Sequence, residues 1–339
     1  MPPSAPPVFN WTGRTALVTG IGGFVGSALA SLLLELGATV VGILRDSAGS
    51  RLLQTLGLLD GIDVVRGNIA EAGLVQRVLN EYEVDSVFHL AAQAMVGVAN
   101  RSPLSTFESN ITGTWCVLEG ARLSPKVQRV VVASSDKAYG IQSVLPYTEE
   151  TPLNGLFPYD ASKVCTDVLA RCYATSFPIA VGVTRCANIY GPGDLNWSRL
   201  VPGTIRSALV GEDPVVRSDG TPERDYLYVE DAVDGYIRVA ERLPELTGEA
   251  FNLGTARPIS ALDLVDQILA TVGNPGLRPR VLAEARGEID RQYLAADKAM
   301  DMLGWRPRVS LTDGLRRSVD WYRSFLFPVP TRVLQEVRT

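Results

Sequence analysis

Apolar and polar positions follow two rhythms over the first 190 residues of this chain, short apolar runs of strand length alternating with stretches of helical spacing. Thr15 to Thr19 is such a run. It ends in Gly20-Ile21-Gly22-Gly23-Phe24-Val25-Gly26, after which Ser27 to Leu36 has helical spacing with a Gly37 stop. Ala38 to Leu44 is a second β-type run, which completes a strand, glycine turn, helix and strand within about thirty residues. Further runs at Ile62–Val65, Ser86–Leu90, Gln128–Ala133 and Ile179–Thr184 each follow a helical stretch. Repeated β-then-α order predicts an α/β fold built on a doubly wound parallel sheet.

Beyond Gly191 proline and glycine become frequent, and polar loops such as Arg217-Ser218-Asp219-Gly220-Thr221-Pro222 interrupt shorter runs. This texture predicts a smaller α/β lobe. Within it, Ser260–Val272 and Thr312–Phe325 have helical periodicity, opened by Ser260 and Thr312 as N-caps with an acid three residues or one residue on. The expected division is a loose arm over 1–12, a Rossmann-type domain over 13–190 and an interleaved substrate lobe over 191–339.

Composition narrows the function classes. With 46% apolar and 20% charged residues among 339, the chain reads as an ordinary globular protein. A net charge of -5 with interspersed signs gives no reason to expect nucleic acid or an anionic membrane surface as partner. Cys116, Cys165, Cys172 and Cys186 have no CxxC spacing and no histidine companions, so they read as reduced thiols without a metal. The only histidine, His89, sits in the apolar run Val87-Phe88-His89-Leu90 and reads as a structural residue. The Met1–Pro7 start lacks the basic and apolar segments of a secretory signal, and Ala28–Leu44 is interrupted by Glu35 and Gly37, too early for a bilayer span. The expected location is cytoplasmic.

The candidate chemistry gathers at two places. The glycines at 20, 23 and 26 suit a tight turn, close approach of backbone to a pyrophosphate, and packing of a helix whose N-terminal amides face the anion. At the end of the second strand Leu44-Arg45-Asp46 leaves two options, Asp46 on a ribose 2'-hydroxyl or Arg45 on a 2'-phosphate. Downstream, Ser135-Asp136-Lys137 follows the apolar run Val130-Val131-Val132, and Tyr159 and Lys163 share one face of a helix opening after Pro158. An ammonium beside a phenol stabilises phenolate and so lowers the tyrosine pKa toward a value useful for proton transfer.

Thr19-Gly20-Ile21-Gly22-Gly23-Phe24-Val25-Gly26, Tyr159-xxx-Lys163 and Asn188-Ile189-Tyr190-Gly191-Pro192 together resemble the extended short-chain dehydrogenase/reductase family of nucleotide-sugar enzymes. His89-Leu90-Ala91-Ala92-Gln93, Asn110-xx-Gly113-Thr114, Arg224-Asp225-Tyr226-xx-Val229-xx-Asp231 and Leu303-Gly304-Trp305-Arg306-Pro307 extend the likeness along nearly the whole chain. The resemblance implies that Gly20, Gly23, Phe24, Val25 and Gly26 line the cofactor pyrophosphate, that Leu90, Ala91, Ala92 and Gln93 run beside the cofactor with Tyr159 and Lys163, and that Asn68 and Ile69 reach its adenine. NAD is the expected cofactor. Members that use NAD often carry an acid at the position of Leu44, whereas Arg45 resembles the NADP-using mannose dehydratases, so NADP is the alternative.

The same resemblance assigns the reaction to Ser135, Asp136, Lys137, Tyr159 and Lys163. Epimerases of the family have small or hydroxylated residues after the serine. An acid and a base there suit 4,6-dehydratases, which lose water across C5 and C6 after C4 oxidation. Asp-Lys is similar to the pair of CDP-glucose 4,6-dehydratases, and Gly193–Pro202 is similar to that branch, whereas Arg224-Asp225-Tyr226-Leu227 is nearer the general family form. Asn188, Leu200 and Val201 are implied along the substrate diphosphate, with Arg217, Arg224 and Arg286 for its charge or the ribose. Lys137 as base requires a neutral amine for part of the cycle, which burial beside other cations favours. A nucleotide-sugar 4-epimerase or keto-sugar reductase is the runner-up, and a dinucleotide-sensing binding protein the non-enzymatic one. Family members dimerise through two helices, here about Pro103–Leu123 and Tyr159–Ser176, so a homodimer is expected.

Overall fold

The computed structural model describes residues 9–46, 49–284 and 289–328. In chain order the strands are β1 (Thr15–Thr19), β2 (Thr39–Leu44), β3 (Ile62–Arg66), β4 (Ser86–His89), β5 (Arg129–Ala133), β6 (Val181–Cys186), β7 (Asn188–Tyr190), β8 (Val215–Val216), β9 (Glu223–Arg224), β10 (Tyr226–Tyr228), β11 (Ala250–Leu253), β12 (Ile259–Ser260), β13 (Arg280–Val281) and β14 (Arg291–Gln292). Seven of them form one sheet in the order β11-β6-β5-β4-β1-β2-β3, every pairing parallel. This is the doubly wound sheet that the alternating runs predict. The direction of winding reverses between β1 and β4, and such a switch point opens a crevice at the carboxyl ends of the strands.

All five residues of β5 are buried, which is why its Val130-Val131-Val132 run is continuous rather than alternating: helices cover both faces of a parallel sheet. One apolar cluster includes Val18, Val131, Ala133 and Phe251 on one face, and another includes Leu17, Val130, Val132 and Val183 on the other.

Three boundaries differ from the sequence expectation for identifiable reasons. The first helix runs Phe24–Glu35, so the glycine motif itself forms its first turn. Strand β6 lies two residues later than the apolar run, because Arg185, which interrupts the pattern in sequence, is buried within the strand by an ion pair with Asp167. The last helix, Leu311–Leu326, is capped by Ser310 and not by Thr312: Ser310 Oγ accepts from the Asp313 amide at 3.1 Å. Ser260 caps helix Ala261–Val272 as expected, accepting from the Asp263 amide at 3.1 Å.

Chain beyond residue 190 returns to the sheet, as β11 pairs with β6 and helix Val229–Arg242 packs on β5 and β6. The remainder builds smaller sheets, β12-β9-β14, β10-β7 and β13-β8, and helices packed around Ile205, Leu264, Ile268 and Leu315. Among the described residues, no helix is long and apolar enough to cross a membrane, no group of residues has a metal-ligand arrangement, and the four cysteines are free thiols.

Candidate active site

The switch point is closed by side chains that leave the crevice backbone-lined. Thr19 at the end of β1 and His89 at the end of β4 are in register, and Thr19 Oγ1 lies 2.8 Å from His89 Nδ1. The other ring nitrogen lies 3.0 Å from Thr114 Oγ1. Burial, with the charge of Lys163 adding, pushes His89 down to about 3, so the ring is neutral and its role is structural, as its apolar run implies. Gly20 has φ +72, and a Cβ there would lie 2.8 Å from Ala91 Cα. Only glycine fits both the conformation and the approach of the two crossing loops.

The next glycines shape a cradle. A Cβ on Gly22 would lie 2.2 Å from Gly49 O and one on Gly26 would lie 2.2 Å from Gly20 O. No side chain caps helix Phe24–Glu35 at Gly23, which leaves the first-turn amides for an anion. A cleft of about 410 Å³ opens against this turn, lined also by Arg51, Asn196 and Arg199. Uncapped amides, absent side chains and two guanidinium groups fit a dinucleotide diphosphate. Arg51 and Arg199 were not among the residues singled out from sequence.

Other expected cofactor positions have mixed settings. Arg45 and Asp46 form an exposed pair at 3.5 Å, and Asp46 Oδ1 accepts from the Gly49 amide. Asn68 Oδ1 accepts from the Ala70 amide, and Ile69 is buried against Gly113. Leu90, Ala91 and Ala92 follow β4 over the crevice, the Ala91 amide donating to Thr19 Oγ1 at 3.2 Å. Gln93 is tied through its backbone: its amide donates to Asn110 Oδ1 at 2.6 Å, and Asn110 Nδ2 donates to Ser162 Oγ at 2.8 Å. Asn110 thereby links the crevice loop to the helix that bears Tyr159.

The catalytic candidates come together at the ends of β5 and helix Pro158–Ser176. Ser135 follows β5 and caps the single turn Asp136–Tyr139, accepting from the Lys137 amide at 3.2 Å and donating from Oγ to Asp136 Oδ1 at 3.0 Å. Ser135 also lies beside the Tyr159 hydroxyl, where its side chain acts to hold the phenol down. Lys163, buried one turn on, donates from Nζ to the Ala133 carbonyl at 2.8 Å, which fixes it at the end of β5.

One electrostatic expectation is corrected. Tyr159 is pushed up to about 12, because loss of water outweighs its hydrogen bond to Ser135 and the charge of Arg199. Lys163 is itself pushed down to about 8 by burial, so the phenol is not lowered by its neighbour in this arrangement. Lys137 Nζ donates to Gln292 Oε1, and Lys137 and Arg224 both act on the Asp136 carboxyl. Burial raises Asp136, against the pull of Lys137 and Ser135, and raises Asp160 to about 6.

The substrate candidates are dispersed over the second lobe. Asn188 begins β7, its amide donating to Asp225 O. Leu200 and Val201 form the first turn of helix Leu200–Leu209, and Val201 is buried in the lobe's core, so its backbone rather than its side chain is free for an anion. Arg217 is exposed and donates to Ser198 O. Arg224, nearly buried on β9, acts on Asp136 and so faces the catalytic turn. Arg286 lies outside the described residues. Gln292 was missed: it is fully buried on β14, opposite Arg224, and its Nε2 donates to Asp136 O at 2.9 Å. No sequence signal marks a contact across 156 residues.

A Rossmann sheet with a glycine-turned crevice and a Ser, Tyr and Lys set at its edge defines a dinucleotide-dependent oxidoreductase-type site. Residues 16–254 match the model of the NAD dependent epimerase/dehydratase family, and the chain belongs to that family. It is 32% identical over 311 residues to a UDP-glucose 4-epimerase of Mycolicibacterium smegmatis, covering 91% of this chain and 98% of the relative. A CDP-glucose 4,6-dehydratase of Salmonella typhimurium is 30% identical over 336 residues, covering 93% and 92%. A solved dTDP-glucose 4,6-dehydratase of Streptomyces venezuelae with NAD bound superposes with a TM-score of 0.83 at 31% identity, covering 92% and 97%. Epimerases and dehydratases stand at similar distances, so the likeness to the CDP-glucose branch is not singled out.

Proposed function

We propose that this protein is an NAD-dependent enzyme that oxidises C4 of a nucleotide-linked hexose and then eliminates water across C5 and C6, a 4,6-dehydratase. The observation that carries the reading is the buried Asp136 carboxyl hydrogen-bonded to Ser135, which places an acid beside the residue that touches Tyr159. The glycine cradle and the cleft beside it support NAD, and NAD is present in the solved relative. Bound there, NAD supplies the acceptor for the hydride that leaves C4 and returns to the sugar.

The chain's own residues handle protons and position. Tyr159 takes the proton of the C4 hydroxyl, Ser135 orients that oxygen, and Lys163, braced on the Ala133 carbonyl, holds the helix edge against β5. Asp136 protonates the C6 hydroxyl as it leaves as water. Lys137 takes the C5 proton and returns it after reduction at C6. The first-turn amides at Leu200 and Val201, with Arg217 and Arg224, serve the substrate diphosphate, and Asn188 lies on the same side.

A 4-epimerase is the second reading, and one observation favours it. Lys137 Nζ donates to Gln292 Oε1, a contact that ties it into the fold and suits a structural role. The 32% identity to a UDP-glucose 4-epimerase supports the same reading. Incubation with CDP-, dTDP- and UDP-glucose and mass analysis of the products separates the two. Loss of one water with a 4-keto product supports dehydration, and Lys137→Ala then abolishes it. An unchanged mass with an inverted C4 overturns dehydration in favour of epimerisation.

A further inference from the structure

Gln292 is fully buried on β14, and its side-chain amide meets two successive residues of the catalytic turn. Nε2 donates to the Asp136 carbonyl at 2.9 Å, and Oε1 accepts from Lys137 Nζ. The amide has one orientation, because turning it over would set its N–H groups against those of Lys137 and its oxygen against the Asp136 carbonyl. Two neighbours hold the residue in place. Strand β14 lies parallel to β9 with Gln292 opposite Arg224, and the Asp225 amide donates to Gln292 O at 3.3 Å. The Tyr147 amide donates to Tyr293 O at 3.0 Å and the Ala295 amide to Tyr147 O at 2.9 Å. Tyr147 Oη in turn donates to Gly140 O at 2.9 Å, directly after the catalytic turn.

We propose that Gln292 is a positioning residue for the elimination step, holding the Lys137 amine and the Asp136 backbone at a fixed separation against C5 and C6 of the sugar. The inference rests on the roles of Lys137 and Asp136 in the proposed function. In that step the C5–H bond breaks as its proton passes to the Lys137 amine, and its electron pair forms the C5–C6 double bond. The C6–O bond breaks as Asp136 supplies the proton with which the hydroxyl leaves as water.

A neutral amide suits this task for a chemical reason. A base must carry a lone pair, and a neutral amine still has N–H bonds to donate, so the contact with Oε1 leaves the lone pair for the C5 proton. A carboxylate in the same place would favour the ammonium and withdraw the base. An apolar side chain of the same volume would fill the space and leave the amine loose on its flexible stem. Arg224, set on the substrate diphosphate in the proposed function, stands in register with Gln292, so one strand pair aligns the diphosphate end of the substrate with the turn.

The test compares NAD-loaded wild type, Gln292→Met and Gln292→Glu in single turnovers of CDP-, dTDP- and UDP-glucose. Absorbance of the reduced cofactor reads oxidation, and loss of water by mass reads elimination. Gln292→Met keeps the volume without the hydrogen bonds, and it slows elimination about 100-fold while oxidation stays within about 3-fold, so the reduced cofactor accumulates. Gln292→Glu restores the acceptor with a charge that favours the ammonium, so its elimination recovers as pH is raised. Asp136, Asp160 and Arg224, the other charged groups about this turn, are the same in both variants. Elimination within about 2-fold of wild type in Gln292→Met, or an equal slowing of both steps, overturns the inference and leaves dehydration standing. Where Gln292→Met does not fold, Gln292→Glu decides: an elimination profile against pH identical to that of wild type overturns the inference. Absence of water loss in the wild type with every sugar sinks dehydration and the elimination role with it. One further readout needs no turnover, since the chain has only four lysines, Lys126, Lys137, Lys163 and Lys298, and lysine-labelled protein gives four ε-carbon signals. The Lys137 signal, assigned by its loss in Lys137→Arg, moves in Gln292→Met, and an unmoved signal overturns the contact whatever the reaction.

Discussion

Asp167 and Arg185 are joined by two parallel hydrogen bonds, 2.7 Å from Nε and 2.9 Å from Nη2, with side chains 0% and 1% exposed. Asp167 lies one helical turn beyond Lys163, and Arg185 Nη1 reaches Tyr139 Oη at 2.8 Å at the end of the turn that bears Asp136. The pair thus joins the Tyr159 helix, β6 and the catalytic turn. Its arrangement is the bidentate one that suits a buried guanidinium.

Removing one partner leaves the other charged and without compensation in the core. Asp167→Ala is expected to lower the unfolding free energy by about 3–5 kcal/mol, measured by urea denaturation, because the cost of a stranded buried charge exceeds the value of an intact pair. A loss below about 1 kcal/mol would mean that Arg185 finds water instead.

His89 makes the fold acid-sensitive. Its pKa falls from 6.5 to about 3 on folding, so between those values the unfolded chain binds a proton that the folded chain does not. Stability therefore rises with pH across that window. The contribution is complete above 6.5 and is lost as pH falls, by about 2 kcal/mol at pH 5. His89→Gln, which can still serve Thr19 and Thr114, should reduce the acid loss by about that amount in denaturation curves taken at about pH 7.5 and pH 5. Equal acid losses in the two proteins would refute the assignment.

The cap of the last helix separates two serine/threonine positions. Ser310→Ala is expected to cost about 1 kcal/mol, since the Asp313 amide loses its acceptor. Thr312→Ala lies inside the helix and should be near neutral. Thermal melts of the two variants give the comparison, and equal effects would reinstate Thr312 as a cap.

Much of this was legible in the chain because its causes are local. The glycine turn, the helix it opens and the apolar runs of the sheet depend on residues within a few positions of one another, and the structure repeats them with boundaries moved by at most three residues. At β6 a long-range contact was responsible: Arg185 looks like a strand-breaking charge until Asp167 neutralises it. Ser310 could have been found, since it stands three residues before Asp313 as Ser260 does before Asp263.

The catalytic turn divides the same way. The residue types, Ser135, Asp136, Lys137, Tyr159 and Lys163, were determined by the sequence alone, since motif spacing fixes which groups share a strand end or a helix face. Their protonation was not. Whether Tyr159 is raised or lowered, which side chain Lys137 meets, and what surrounds Asp136 depend on burial and on partners far away in the chain, Gln292 among them. Desolvation and hydrogen-bond direction act over a few ångströms of space, and only the tertiary structure decides which residues occupy those few ångströms.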